Sequence, residues 1–371
     1  MTTDLLVAFT PVGGGHKAAA LALAEAARAR GLSVEVVDTF EHTARFIGDA
    51  YKTAHITGQS AVPELYGSAY FAANRRGGTL EPVRRGFDHV VFAGLEKRVR
   101  ELAPRVVVAT HHLPLVVLGR ARRRGRLAAP LLGVITDYTA HACWAEAGVD
   151  AFCVPCPLAA RELAAHGVQG DRIWLTGIPV RPAFFEVAPV CPPPTTEPLR
   201  VLVTSGGFGV GPVRDVVRSF AGVPNVRLSV VCGAARGMLR RVAREALRWG
   251  VVADVVGFER DMPRRMAEAH LVVGKAGGLT VSETLAAGRP MITVGTVPGN
   301  ELSNERLVVD GGAGYAADAT SVGPLAHLMR SRGLLAPMGA RARGLVLGHS
   351  AERVLALASR MAFAEGRHDA A

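Results

Sequence analysis

Two stretches in the second half of the chain hold residue types and spacings suited to binding an anion. In VVGKAGGLTVSETLAAGRP, residues 272–290, Lys275, Gly277, Gly278, Thr280 and Glu283 follow an apolar run. LVV reads as a short buried strand, and LTVSETLAAG as a helix that stops at Gly288 with Pro290 just beyond. A strand that feeds glycines into a helix start makes an anion site. The backbone comes close, and the free N–H groups and the helix dipole both favour negative charge. Glu283 has two readings here. Thr280 and Glu283 have the T-x-x-E spacing of a capping box, or else Glu283 accepts hydrogen bonds from a ribose diol whose phosphates lie at Gly277 and Gly278. TSGGFGVG, residues 204–211, repeats the device with Ser205, Gly206, Gly207 and Gly209. It is either a second phosphate cradle or a tight turn without a ligand. Two glycine turns and one acid are enough for a nucleoside diphosphate.

The first half carries candidate acid/base residues. In PVGGGHKAAA, residues 11–20, Gly13, Gly15 and Ala18 fit G-x-G-x-x-A, and Asp38 ends the next strand. That is the dinucleotide fingerprint, so an NAD-dependent oxidoreductase is a competing reading. A P-loop is excluded because the GK[ST] end is absent. The fingerprint leaves His16 unexplained. An imidazole at a helix N-terminus is held toward its neutral form and can accept a proton from an attacking hydroxyl; the alternative is a histidine that caps or packs. ITDYTAHACW, residues 135–144, sets Asp137 just past a strand, with His141 and Trp144 close behind. Carboxylates at the carboxyl ends of parallel strands line the ligand crevice. Asp137 and His141 are therefore an acid/base pair, or a helix cap beside an idle histidine. His111 and His112, after VVVAT, occupy a similar rim position, but no third metal ligand follows at a convincing spacing. Cys153 and Cys156 form C-V-P-C, which reads as a buried strand and its end rather than a redox pair.

These residues need a scaffold. Short β-rich runs alternate with Ala/Leu/Arg helical runs, the pattern of a parallel α/β sheet. Strands are expected at Leu5–Thr10, Val34–Val37, Val106–Ala109, Leu131–Thr136, Ala151–Val154 and Ile173–Thr176. EVAPVCPPPTTEP, residues 186–198, is too rich in proline for helix or strand and reads as a linker. The alternation then restarts at Arg200–Thr204, Leu228–Val231, Val252–Val256, Leu271–Val273 and Met291–Val294. Two Rossmann-like domains result, and 371 residues are enough for two cores. Residues 43–88 break the rhythm. They mix Phe46, Tyr51, Tyr66, Tyr70, Phe71 and Phe87 with Arg75, Arg76, Arg84 and Arg85. That mixture suits either an interfacial membrane contact or an ordinary helix pair with solvated arginines.

Composition narrows the partners. The net charge is +11, and only four of the 43 basic residues are lysine. The excess of arginine reads as GC-rich codon usage or as an anionic partner, namely a nucleotide or an anionic lipid. No basic-aromatic module for nucleic acid is present, so nucleic acid is not expected. Five cysteines imply no disulfide framework. The N-terminal MTTDLLVAFTPVGGG has no basic n-region and reads as a first strand rather than a signal peptide. A cytoplasmic protein, or one peripheral on the inner face of the cell membrane, is expected.

The ordered set GGGHKAAA, ITDYTAHACWAEAGVDAFCVPCPLAARELAAHG, LTGIPVRPAF, VVCG, VGFERDM, GKAGGLTVSETLAAGRP and VPGNELSN resembles the lipid-directed glycosyltransferases of family 28. These are the monogalactosyldiacylglycerol synthases and processive diacylglycerol glucosyltransferases. More distantly the chain is similar to the peptidoglycan lipid II N-acetylglucosaminyltransferase. The resemblance runs along nearly the whole chain. It implies an α/β GT-B fold of two facing Rossmann-like domains with a cleft between them. With the linker, that gives an acceptor-binding domain at 1–185, a UDP-sugar domain at 199–350 and a C-terminal helix crossing back at 351–371. It implies inverting, metal-independent transfer of a hexose from UDP-glucose or UDP-galactose to diacylglycerol or another lipid alcohol, with no cofactor.

The same resemblance implies site residues. Glu283 matches the ribose-binding acid, and Gly277, Gly278 and Thr280 match the phosphate turn. Ser205, Gly206, Gly207 and Gly209 match the turn near the phosphates, with Lys275 beside them. Phe258 matches the uracil-side loop, and Asn300, Glu301 and Asn304 the segment that reads sugar hydroxyls. His16 and Asp137 match the catalytic positions, joined by His141, with Gly14, Gly15, His112 and Trp144 on the acceptor side. Asn300 stands where these enzymes usually have Gln, which leaves the hexose open. A UDP-sugar epimerase and a non-catalytic sensor on the same architecture are the remaining alternatives.

Overall fold

A computed structural model describes residues 3–44, 46, 48–50, 53, 74 and 92–364, apart from 192, 195, 208 and 210. The expected insertion at 43–88 falls mostly outside these residues. Tyr51, Tyr66, Tyr70, Phe71, Phe87 and its four arginines are not among them, whereas Phe46 is, and is exposed.

The chain divides into two units, Met1–Pro182 with His349–Ala371, and Ala183–Gly348. The first contains β1 (Leu5–Phe9), α1 (Gly14–Ala29), β2 (Val34–Asp38), α2 (Ala93–Leu102), β3 (Val106–Ala109), α3 (His112–Arg123), β4 (Leu131–Val134), β5 (Ala151–Val154), α4 (Pro157–Ala165) and β6 (Ile173–Leu175). The second contains β7 (Leu199–Thr204), α5 (Val213–Ser219), β8 (Val226–Val231), α6 (Arg236–Arg248), β9 (Ala253–Val256), α7 (Met262–Glu268), β10 (Leu271–Gly274), α8 (Gly278–Ala286), β11 (Met291–Thr293), α9 (Asn300–Asp310), β12 (Gly314–Ala316), α10 (Val322–Ser331) and α11 (Leu335–Gly344). The last helix, α12 (Ser350–Ala364), belongs to the first unit. Among the described residues no helix is long and apolar enough to cross a membrane.

Both sheets are parallel. Their orders are β2-β1-β3-β4-β5-β6 and β12-β11-β10-β7-β8-β9, the second being the doubly wound Rossmann order. Strands buried on both faces must be apolar throughout, as VVVA and LRVLVT nearly are. The alternation along β1 assigns each face. Leu6 and Ala8 join the core with Leu95, Leu113 and Leu163, while Leu5, Val7 and Phe9 join Leu23, Val354 and Leu355 of α1 and α12. The order reverses between β1 and β3, and again between β7 and β10. In open α/β sheets, ligands bind beyond the carboxyl ends of the strands at such a point.

The β4–β5 connection, which carries Asp137, His141 and Trp144, is clamped from several sides. Glu162 of α4 accepts from the Thr139 hydroxyl and from the Ala140 N–H, both at 2.7 Å. Ala142 N–H donates to Asn74 Oδ1 at 2.7 Å, and buried Glu146 pairs with Arg123 at 2.6 Å. A Cβ added at Gly148 would overlap the backbone of Gly119 on α3. Gly148→Ala is therefore expected to cost about 1–3 kcal/mol. Gly170, whose added Cβ meets nothing, is the control and stays within about 0.5 kcal/mol as alanine. Thermal unfolding of the two variants measures the difference.

The proline-rich segment is tied to the second unit by arginines. Arg289 is buried and donates to the carbonyls of Met266, Ala188, Ala287 and Ala267. Burial, then the nearby Arg343, lowers its pKa to about 10. Arg343 in turn donates to Val187 O. His270, at the entry to β10, accepts the Arg200 N–H at Nδ1 and has the Arg200 guanidinium 2.8 Å from Nε2. Burial, then the charge of Arg200, lowers its pKa to about 4. The unfolded chain takes up this proton near pH 6.5 and the folded one only near 4. Stability present above pH 6.5 is thus lost as pH falls toward 4, by at most about 3 kcal/mol. Urea unfolding at pH 7 and pH 4.5 tests this, and His270→Gln is expected to flatten the profile.

Candidate active site

In the first unit, the loops after β1, β3 and β4 meet at His16. Gly13, in a left-handed conformation at φ 74°, turns the chain off β1 and starts α1 at Gly14. Gly14, Gly15 and His16 form the first turn and are half-buried. The imidazole is held from both sides. Its Nδ1 lies 2.8 Å from the carbonyl of Thr110, and the Thr110 hydroxyl donates back to the His16 carbonyl at 2.9 Å. A carbonyl can only accept, so Nδ1 carries the proton. The Thr136 hydroxyl oxygen, 2.9 Å away, shares it. The lone pair is thereby assigned to Nε2. This is the tautomer a general base requires.

Further rings continue from His16. His111 meets it edge-on at 4.5 Å between centroids, His112 lies 4.1 Å from His111, and Trp144 meets His112 edge-on at 6.4 Å. His111 caps α3 by accepting the Leu113 N–H at Nδ1, 3.2 Å away. Its part in holding His16 was visible in the sequence only as a paired histidine at a strand end. β4 ends at Val134, two residues before the expected Thr136, and Thr136 bonds to His16. Asp137 follows directly and is half-buried. The expected Asp cap beside an idle histidine is not formed. His141 is the capping residue, its Nδ1 accepting the Cys143 N–H at 3.1 Å. His141 is therefore engaged in shaping the loop, and Asp137 is the residue next to Thr136, whose hydroxyl meets His16.

The dinucleotide reading of this unit loses its support, and the structural reading of Cys153 agrees with its burial. Asp38, which the dinucleotide fingerprint needs for a ribose, accepts the Phe40 N–H at 2.8 Å and caps the turn at 39–42. Cys153 is fully buried and its pKa is pushed up to about 12, so it holds its proton. Among the described residues no three His, Cys, Asp or Glu side chains group as metal ligands.

In the second unit, the loops after β7, β10 and β11 gather at the switch point. Helix α8 begins at Gly278 with Gly277 as its N-cap, and no side chain caps it. The capping box therefore does not form. Thr280 sits inside the first turn instead of at the N-cap, and Glu283 lies in the second turn, half-buried. The N–H groups of Gly278, Leu279 and Thr280 have no carbonyl of their own helix to bond to. Gly277 has an ordinary φ of −68°, and an added Cβ would meet nothing. Neither strain nor packing calls for glycine there. Glycine is an ordinary N-cap residue, and here it leaves the approach to the helix start open.

The other candidates take different places. Lys275 pairs with Glu301 at 3.2 Å, and Glu301 also accepts the Val297 N–H at 2.8 Å. The Lys275 stem lies against Gly211. Asn304 is fully buried and donates from Nδ2 to Ala276 O at 2.9 Å, so it holds up the glycine turn. Asn300 opens α9 after Gly299 and is half-buried. Ser205 is buried and its hydroxyl donates to Val231 O at 3.1 Å. Gly206 and Gly209 turn in left-handed conformations, and a Cβ at Gly209 would strike Ala235 and Cys232. Gly207 accepts the Ala234 N–H. Phe258 is 66% exposed on the loop after β9.

Comparison with known proteins agrees with this layout. The monogalactosyldiacylglycerol (MGDG) synthase family model matches residues 16–180, and the glycosyltransferase family 28 C-terminal domain model matches residues 225–324. A probable monogalactosyldiacylglycerol synthase 2 of Oryza sativa subsp. japonica is 27% identical over 347 residues, covering 84% of this chain and 70% of that one. A processive diacylglycerol beta-glucosyltransferase of Bacillus mycoides is 25% identical over 319 residues, covering 81% and 78%. Among solved structures, Acinetobacter baumannii MurG superimposes with a TM-score of 0.62 at 17% identity, over 96% of this chain and 99% of that one. Two glycosyltransferase family models in order along one chain, on a GT-B fold, mark this protein as a glycosyltransferase similar to the monogalactosyldiacylglycerol synthases and processive diacylglycerol glucosyltransferases of family 28.

Proposed function

We propose that this glycosyltransferase moves a glucose or galactose from its UDP-sugar to the hydroxyl of diacylglycerol or a related lipid, with inversion, at the inner face of the cell membrane. The observation that carries the reading is the uncapped start of α8, where three unbonded N–H groups and the open approach at Gly277 suit the phosphates of UDP. Glu283, one turn on, would accept the ribose hydroxyls. The relatives that are named for diacylglycerol supply the acceptor class.

The chemistry follows from the tautomer. The lipid hydroxyl oxygen attacks the anomeric carbon, and the bond from that carbon to the phosphate oxygen breaks. Nε2 of His16, with Nδ1–H fixed on Thr110 O, takes the hydroxyl proton. Asp137 on the same rim stabilises the imidazolium. Negative charge grows on the departing UDP, where the α8 dipole and N–H groups meet it. We assign the leaving group to these groups, with no metal ion. Lys275, neutralised in part by Glu301, is a positioned hydrogen-bond donor rather than a lone charge.

The test is turnover. The purified protein, with labelled UDP-glucose or UDP-galactose and diacylglycerol micelles in EDTA, is expected to move label into the organic phase from one donor. His16→Ala should lower kcat about 10²–10⁴-fold. Glu283→Ala should raise KM for the UDP-sugar about 10–100-fold. Label that stays in water, or turnover that stops in EDTA and returns with a metal, would overturn the lipid or the metal-free part respectively. Gly277→Ala separates ligand approach from folding. Its melting temperature should match the wild type, while UDP affinity by calorimetry falls at least about tenfold, as a lost charged hydrogen bond implies. Unchanged UDP affinity would remove this turn from the site.

A further inference from the structure

Helix α6 in the second unit has two unlike faces. Val242 and Ala246 are buried, and Met238, Leu239 and Trp249 pack beside them on the core. At 3.6 residues per turn, Arg240, Arg241, Arg244, Leu247 and Arg248 fall within one arc of about 120° on the other side. All five are exposed. The single acid of the helix, Glu245, lies at the border of this arc and is held by Arg214 at 2.6 Å. Among the described residues none of the four arginines makes an ion pair, and Arg244 donates only to the Arg240 carbonyl. Helices α7 and α2 pair their charges instead. Arg264 pairs with Glu268 at 2.7 Å, and Lys97 and Arg98 lie beside Glu101.

Leu247 adds a second observation. It is 82% exposed at one edge of the arginine arc, and Val252, just before β9, is 61% exposed. A single exposed leucine is ordinary on its own, but beside four arginines without ion pairs it makes the surface basic and apolar together. A partner must then be anionic and apolar together. Phosphate headgroups over acyl chains have both properties. A polynucleotide would engage the arginines and leave Leu247 without a role.

We propose that the exposed face of α6 docks on an anionic phospholipid bilayer, with the four arginines at the headgroup phosphates and Leu247 entering the interface. This goes beyond the transferase reading. It concerns the second unit, and it holds whichever lipid is glycosylated.

Full-length protein is mixed with phosphatidylcholine vesicles, with or without phosphatidylglycerol, and the bound fraction is read by co-sedimentation. Wild type is expected to bind the anionic vesicles, more weakly as salt rises. Each arginine near such a surface is worth roughly fivefold, so Arg240→Ala, Arg244→Ala and Arg248→Ala together should lower partition on the order of 100-fold. Leu247→Ser should lower it roughly tenfold with little change in salt dependence. Melting temperature and UDP affinity stay at wild-type values in both variants. Wild type that ignores anionic vesicles overturns the proposal, as does a triple variant that binds them equally well. Loss of affinity for a single-stranded oligonucleotide in the triple variant, with vesicle binding intact, assigns the face to nucleic acid instead. Transfer to diacylglycerol in uncharged detergent micelles is unaffected by the triple variant. Failure of that transfer in wild type counts against the transferase reading and leaves the vesicle result standing.

Discussion

The reciprocal pair of hydrogen bonds between His16 and Thr110 is the contact on which the first unit's chemistry depends. It joins the loops after β1 and β3, the two strands from which the sheet order runs in opposite directions. One bond fixes the proton on Nδ1. The other fixes the backbone that carries the ring. Because a carbonyl cannot donate, the tautomer does not depend on any titrating neighbour. Thr136 brings in the loop after β4, so three strand ends are tied to one imidazole. The glycine at the mouth of α1 allows that approach through its left-handed conformation.

The second unit solves a different problem with the same topology. There the strand ends present backbone N–H groups rather than a side chain. Asn304 and the Lys275–Glu301 pair surround the turn at Ala276 and Gly277 and keep its shape. Residues assigned to sugar or phosphate contact thus divide into two kinds. Glu283, Gly277 and Asn300 face outward or half outward, whereas Ser205 and Asn304 spend their polar atoms on the protein. The latter shape the cradle that the former present.

Much of this was legible in the sequence, for a physical reason. Buried parallel strands must be apolar on both faces, so VVVA and LVVG mark themselves, and the glycines after LVVG mark that strand's end. His16 stood out because the glycine fingerprint around it has no use for an imidazole. Side-chain partners reached across long sequence separations were not legible. Nothing near residue 16 announces Thr110 or Thr136, and nothing near Asn304 announces Ala276. The T-x-x-E spacing pointed to a cap that Gly277 makes unnecessary, since the helix starts earlier than Thr280. The cap at residues 141–144 fell to His141 rather than Asp137, because the β4 strand ended sooner and the loop closed later.

The first unit's core includes Ala351, Val354, Leu355 and Ala358 from α12, packed with Leu5, Val7 and Leu23. On the ribosome, β1 emerges first but cannot bury that face until residues beyond 350 have been made. The second unit, wholly contained between residues 183 and 348, has every strand of its sheet in hand before then. Synthesis from the N-terminus usually completes domains in chain order. Here the order is inverted, and the half bearing His16 is the last to close. A ribosome stalled before α12 would hold a finished second unit and a first unit with one apolar face covered by α1 alone.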